Sequence, residues 1–136
     1  MDLVRVAGLL HPDQTVPGLA LPLSHAFALH ELDTDAALSQ RDLADRLRLE
    51  KSTVSRLVVD LESQGLLTRE RDPDNRRVYR LRITDAGRRA HAHMRSAFHD
   101  KYVGMTAALT GRERAALLSG LPALIRVIRQ AYSPDG

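Results

Sequence analysis

The sequence predicts a mainly α fold carrying one small β-hairpin, an α+β arrangement in a single domain of 136 residues. Three observations point there. Apolar residues recur at helical spacing over most of the chain, as at Val54, Leu57, Val58 and Leu61. One segment departs from that period. In "RVYRLRIT", residues 77–84, Tyr79, Leu81 and Ile83 alternate with Val78, Arg80 and Arg82, giving a strand with one apolar and one cationic face. Just before it, "DPDN" at 72–75 places Asp and Pro at the first two positions of a type I turn, preceded by a second candidate strand, "LLTRER".

Length and composition narrow the function classes. The chain can bury one substantial core but is short for separate substrate and cofactor lobes. Lys plus Arg outnumber Asp plus Glu by 20 to 17, which suits an anionic partner without requiring one. The absence of cysteine excludes disulfides, thiolate metal ligands and thiol redox sensing. The N-terminal apolar run is broken by Arg5 and ended by Pro12, so no signal peptide or membrane span is expected and the location is expected to be cytoplasmic. No glycine-rich phosphate loop, nucleophile elbow or paired-carboxylate constellation occurs, so an enzyme is not expected and no cofactor is required.

Element by element, Leu3, Val6, Ala7 and Leu10 mark a short opening helix before the linker-like "HPDQTVPG". A second helix starts near Pro22 and runs to about Leu32. Ser39 with Asp42 forms a capping pattern, and Leu38 with Leu43 a hydrophobic staple, so "QRDLADRL" is a two-turn helix starting at residue 40. "KSTVSRLVVDLESQ", from Lys51 to Gln64, is the next helix, with Gly65 as its C-terminal cap. Thr84 caps a long helix reaching to about residue 109. Thr110 with Glu113 caps a last one, in which Leu117, Leu121, Leu124, Ile125 and Ile128 repeat. Those final helices carry more apolar surface than a lone small domain needs, so a subunit interface is a reasonable use for it.

The helix at 51–64 has one apolar face. At 100 degrees per residue its other face carries Ser52, Ser55, Arg56, Val59 and Ser63, with Thr53 and Lys51 near the edges. Two helices joined by a tight turn, the second small and polar on its outer face, form a helix-turn-helix whose second helix fits a major groove about 12 Å wide. The hairpin that follows is then a wing, and its arginines can lie along phosphate or enter a minor groove. Ser52, Thr53, Ser55 and Arg56 are the candidate major-groove residues, Lys51 a phosphate contact, Arg76 the wing probe and Arg77 its backup. Asp74 is expected to pair with Arg76 or Arg77 and hold its rotamer. A winged helix used only for protein contacts is the competing reading, because fold does not fix function.

Residues 38–89, above all "KSTVSRLVVDLESQGLL", "RDPDNRR" and "ITDAG", closely resemble the MarR (multiple antibiotic resistance regulator) family. The resemblance implies a winged helix-turn-helix over 20–83, with the recognition helix at about 51–64 and the wing at about 66–83, flanked by a helical dimerisation region at 1–19 and 84–136. It implies a homodimer on a pseudo-palindromic double-stranded DNA operator, acting as a repressor that responds to a small aromatic or phenolic effector. Some family members respond to metals instead. Here no two of the six histidines are three or four residues apart, and His30 with Asp33 is the only local metal candidate, so no metal site is expected. The chain departs from the family at Arg48, where a glycine is usual, and at Glu50, a poorer N-cap than serine or aspartate. Its opening helix is also short, and Pro122 predicts a kink or break in the last helix.

Overall fold

A computed structural model describes residues 21–131. The opening helix and linker expected at 3–18 lie outside the described residues. Pro22 is the extended N-cap of α1 (Leu23–Leu32). A two-residue strand, β1 (Leu38–Ser39), leads straight into α2 (Gln40–Leu47), where Ser39 accepts a 3.0 Å hydrogen bond from the Asp42 N–H. Then follow α3 (Lys51–Ser63), β2 (Leu67–Arg71), β3 (Tyr79–Ile83), α4 (Asp85–Ala107) and α5 (Gly111–Ala131).

The sheet has the order β1-β3-β2 and is antiparallel throughout. Sequence reading missed β1, which pairs Leu38 with Leu81 and Ser39 with Arg80. Leu67 and Leu81 turn inward from the hairpin, and Leu29, Leu32, Leu43, Val54, Leu57, Val58 and Leu61 meet them in one buried cluster. α1, α2, α3 and the sheet therefore share a core, which leaves the outer side of α3 and the far end of the hairpin as surface.

The ends of α2 and α3 close in the same way with different residues. After α3, Gly65 takes φ +72°, its N–H meets the Glu62 carbonyl and the Leu66 N–H meets the Leu61 carbonyl. After α2, Arg48 adopts φ 53° and ψ 43° while the Leu49 N–H reaches the Ala44 carbonyl. Both are Schellman closures, but at Arg48 a β-carbon sits where glycine is unstrained. Glu50 makes no side-chain cap, as its residue type predicts.

Contacts divide the chain into two units, Met1–Phe98 and His99–Gly136, with α4 running from the first into the second. At the start of α4 the Thr84 hydroxyl accepts from the Gly87 N–H and donates to the Gly65 carbonyl. Gly87 is needed there because a β-carbon would collide with the Leu66 carbonyl oxygen. In the second unit, Thr110 and Glu113 form a reciprocal capping box at α5. The Arg114 guanidinium donates to the Thr106 and Leu109 carbonyls, tying the turn to the end of α4. Pro122 lies inside α5, which is continuous from Gly111 to Ala131, so of the kink or break expected there the break does not occur. A proline removes one backbone donor from a helix without necessarily ending it. No described helix is long and apolar enough to cross a membrane.

Relieving the left-handed strain in Arg48→Gly should raise unfolding stability by about 1 kcal/mol in urea denaturation; a loss would show that the arginine side chain contributes more than its backbone strain costs. Gly87→Ala should lower stability by roughly 1–3 kcal/mol, the range for forcing an extra group into packed structure, and an unchanged midpoint would contradict the close approach.

Candidate nucleic-acid interface

α3 is oriented by its buried stripe. Val54, Leu57, Val58 and Leu61 are exposed by 3% or less, so the opposite face must look outward. Lys51, Ser52 and Arg56 are exposed on it, and Thr53 and Ser55 are half-buried at its edges. Val59, one turn beyond Ser55, is 47% exposed. Near the end of the helix the Ser63 hydroxyl is turned back to the Asp60 carbonyl, so it is engaged locally. The face thus offers a small, uncluttered surface with one guanidinium at its centre.

The wing is held by Asp72. Its Oδ1 accepts the backbone N–H groups of Asp74 at 2.8 Å and Asn75 at 3.3 Å, while Oδ2 accepts Arg80 Nε at 2.6 Å. The Asp72 N–H donates to the Val78 carbonyl and the Val78 N–H to the Asn75 carbonyl, closing the loop. One carboxylate therefore shapes the turn and ties it to β3. The Arg80 hydrogen bond is the main cause, with the Asp74 N–H next, of an Asp72 pKa below its ordinary value of 3.8.

This corrects the expectation for Asp74. It makes no ion pair with Arg76 or Arg77 among the described residues; it is exposed, and the carboxylate–guanidinium pair of the wing is Asp72 with Arg80. Asp72 can do this because its side chain points back along the hairpin, whereas Asp74 lies at the outer turn. Arg76 and Arg77 are both exposed beyond that turn, as expected, and the Arg77 N–H is held by Asn75 Oδ1.

Two further arginines of the hairpin have structural positions. The guanidinium groups of Arg69 and Arg71 each lie 4.6 Å from the centre of the Tyr79 ring. Arg71 also donates to the Arg76 carbonyl, so it braces the segment that presents the wing probe. The hairpin register explains this: Arg71 is opposite Tyr79 and Arg69 opposite Leu81, which places all of them on one face. Between wing and helices lies a recess of about 250 Å3 lined by Gln40, Arg41, Lys51, Arg77 and Tyr79, among others. It groups three cations from α2, α3 and the wing. Arg41 was not singled out from the sequence, although its place in the first turn of α2, two residues after the cap Ser39, could have suggested it.

The candidate metal pair is redistributed. Asp33 binds His91 rather than His30: His91 Nδ1 donates to Asp33 Oδ2 at 2.5 Å, and His30 Nδ1 lies 3.2 Å from His91 Nε2. Arg88 donates to the other Asp33 oxygen at 2.7 Å and to the Thr34 carbonyl. The hydrogen bond from His91 is the largest cause of a lowered Asp33 pKa. Among the described residues no group of three or more donors is arranged to hold a metal ion.

Because Asp72 has a depressed pKa, the wing tie is complete above the usual carboxylate range and is lost as pH falls through the lowered value. An NMR titration of the Asp72 carboxyl should give a midpoint below 3.8 that rises in Arg80→Gln. A wild-type midpoint at or above that value would contradict the pairing.

Comparison with known proteins agrees with this geometry. The sequence profile of the MarR family matches residues 21–78. A Thauera aromatica protein described as a transcriptional regulator for the hcr operon is 32% identical over 98 residues, which is 72% of this chain and 59% of that protein. The chain thus spans about three-fifths of the length of this relative. Among solved structures, the PcaV transcriptional regulator of Streptomyces coelicolor is 28% identical with a TM-score of 0.75, covering 96% of this chain and 94% of that one; PcaV has also been solved with its natural ligand. A MepR mutant of S. aureus, bound to an oligodeoxyribonucleotide, is 21% identical with a TM-score of 0.64 over 93% of this chain and 94% of that one, a likeness of fold. The MarR-family profile thus covers residues 21–78, the helix-turn-helix and most of the hairpin of this chain, and its mainly helical winged-helix fold with a three-stranded antiparallel sheet matches that of solved MarR-family structures.

Proposed function

We propose that this protein is a cytoplasmic transcriptional regulator that binds double-stranded DNA sequence-specifically as a homodimer, repressing a pseudo-palindromic operator until a small aromatic or phenolic effector binds. The observation that carries the DNA-binding part is the joint outward placement of the polar face of α3 and the arginines beyond the wing turn. Ser52, Thr53, Ser55 and Arg56 enter the major groove, Lys51 lies near phosphate, and Arg76 reaches the flanking minor groove with Arg77 beside it.

Homodimer formation is supported by the second unit. Leu117, Leu121, Leu124, Ile125 and Ile128 of α5 are each 42% to 55% exposed, and a recess of about 690 Å3 opens along the same helix beside Tyr102. Such a continuous apolar surface suits a subunit interface. Two copies related by a two-fold axis present two recognition helices to half-sites about 10 bp apart. The response to an effector rests on the family and on the ligand complex of PcaV, and repression on the family alone.

Selection from random duplexes, followed by binding at several salt concentrations, tests the reading. Each phosphate contact should contribute about −0.9 to the log-log slope, and a flat response would instead favour a protein-contact module. Arg56→Ala should cost about 1–3 kcal/mol; it should relax sequence preference if Arg56 reads guanine and weaken all duplexes alike if it grips phosphate. Arg76→Ala should weaken binding and flatten preference at the flanking positions. Asp72→Asn should also weaken it, while Asp74→Ala should not; the reverse order would return the wing-holding role to Asp74.

A further inference from the structure

Within the described residues of the first unit only two large hydrophobic side chains are exposed, Phe27 and Val59. Single exposed hydrophobics are ordinary on protein surfaces. The position of Val59 is what gives it meaning. It lies three residues after Arg56 and four after Ser55, on the groove-facing stripe, while its neighbour Val58 is fully buried. The core that α3 builds is complete without it, since Val59 is neither in the buried cluster nor among the half-buried residues packed against that cluster. A β-branched side chain also gains nothing from an exposed helical site.

A major groove presents one apolar group to such a side chain, the 5-methyl of thymine. We propose that Val59 is a specificity-determining residue that packs against a thymine methyl in the operator. Three residues of helix advance about 4.5 Å and one base pair about 3.4 Å, so this thymine lies one or two base pairs from the position that Arg56 contacts. Arg56 supplies the polar readout or anchor, Val59 the apolar one, and the hydroxyls between them are short enough to let both approach.

This inference rests on the DNA-binding reading, and the experiment separates the two. Using the full chain and a duplex obtained by random selection, each thymine is replaced singly by deoxyuridine, which removes only the methyl group. The same series is measured with Val59→Ala and with Val59→Thr, whose similar shape replaces one methyl by a hydroxyl. At one thymine per half-site, deoxyuridine should weaken wild-type binding about four-fold, the effect of one buried methyl-sized group. Val59→Ala should bind the thymine and deoxyuridine duplexes equally, with Val59→Thr in between. If no thymine shows the penalty, or if Val59→Ala retains it in full, the proposal is overturned while DNA binding stands. If wild-type protein selects no duplex, both fall.

Discussion

Everything the molecule offers to a partner from its first unit depends on how α3 is seated. Four apolar side chains on one side of that helix, Val54, Leu57, Val58 and Leu61, are taken up almost completely by the core. Helical geometry then leaves no freedom about where the remaining side chains go: Ser52, Arg56 and Val59 face out because their neighbours face in. The core partners come from every other part of the unit, with Leu29 and Leu32 from α1, Leu43 from α2, and Leu67 and Leu81 from the sheet. The burial that stabilises the fold is thus the same constraint that aims the candidate recognition surface.

The hairpin is aimed by polar forces, because its outer half has little apolar surface to bury. Asp72 accepts from two backbone N–H groups and from Arg80, while Arg71 spans from the Tyr79 ring to the Arg76 carbonyl. These ties occupy the inner arginines and leave Arg76 and Arg77 outside. Many guanidinium groups on one hairpin therefore do different jobs: some hold the loop, and only those past the turn remain exposed at its tip. Farther back, Arg88 and Arg82 reach the segment between α1 and β1, through Asp33, Thr34 and Asp35, and fasten the base of the hairpin to α1.

How much of this was legible in the sequence follows from the range of the interactions involved. The start of α2 was legible because Ser39 and Asp42 act within one turn, and α3 because its stripe repeats and Gly65 ends it. The two longer strands were legible from alternation and the turn residues between them. β1 was not, since two residues carry no period and exist as a strand only through Leu81 and Arg80, some forty positions away. The same limit applies to the wing. Sequence proximity suggested Asp74 as the partner of an arginine, whereas side-chain direction across a hairpin selects Asp72 and Arg80. It applies again to Asp33, whose histidine is His91 on α4 and not His30 three residues before it. At Pro122, where a kink or break was expected, the helix runs on from Gly111 to Ala131, since a proline inside a helix removes one hydrogen bond and need not end it.

The central claim is that the outer face of α3 and the wing tip touch the same DNA site at different places. The absence of native cysteine makes a direct measurement possible, with an iron-chelate cleavage reagent attached at Ser52→Cys, at Asp74→Cys, or at the control position Ser96→Cys on α4. The account predicts that the Ser52 label cuts within the selected site, that the Asp74 label cuts at its flank, and that the Ser96 label leaves the duplex intact. Cleavage from Ser96 alone, or overlapping cuts from Ser52 and Asp74, would contradict it.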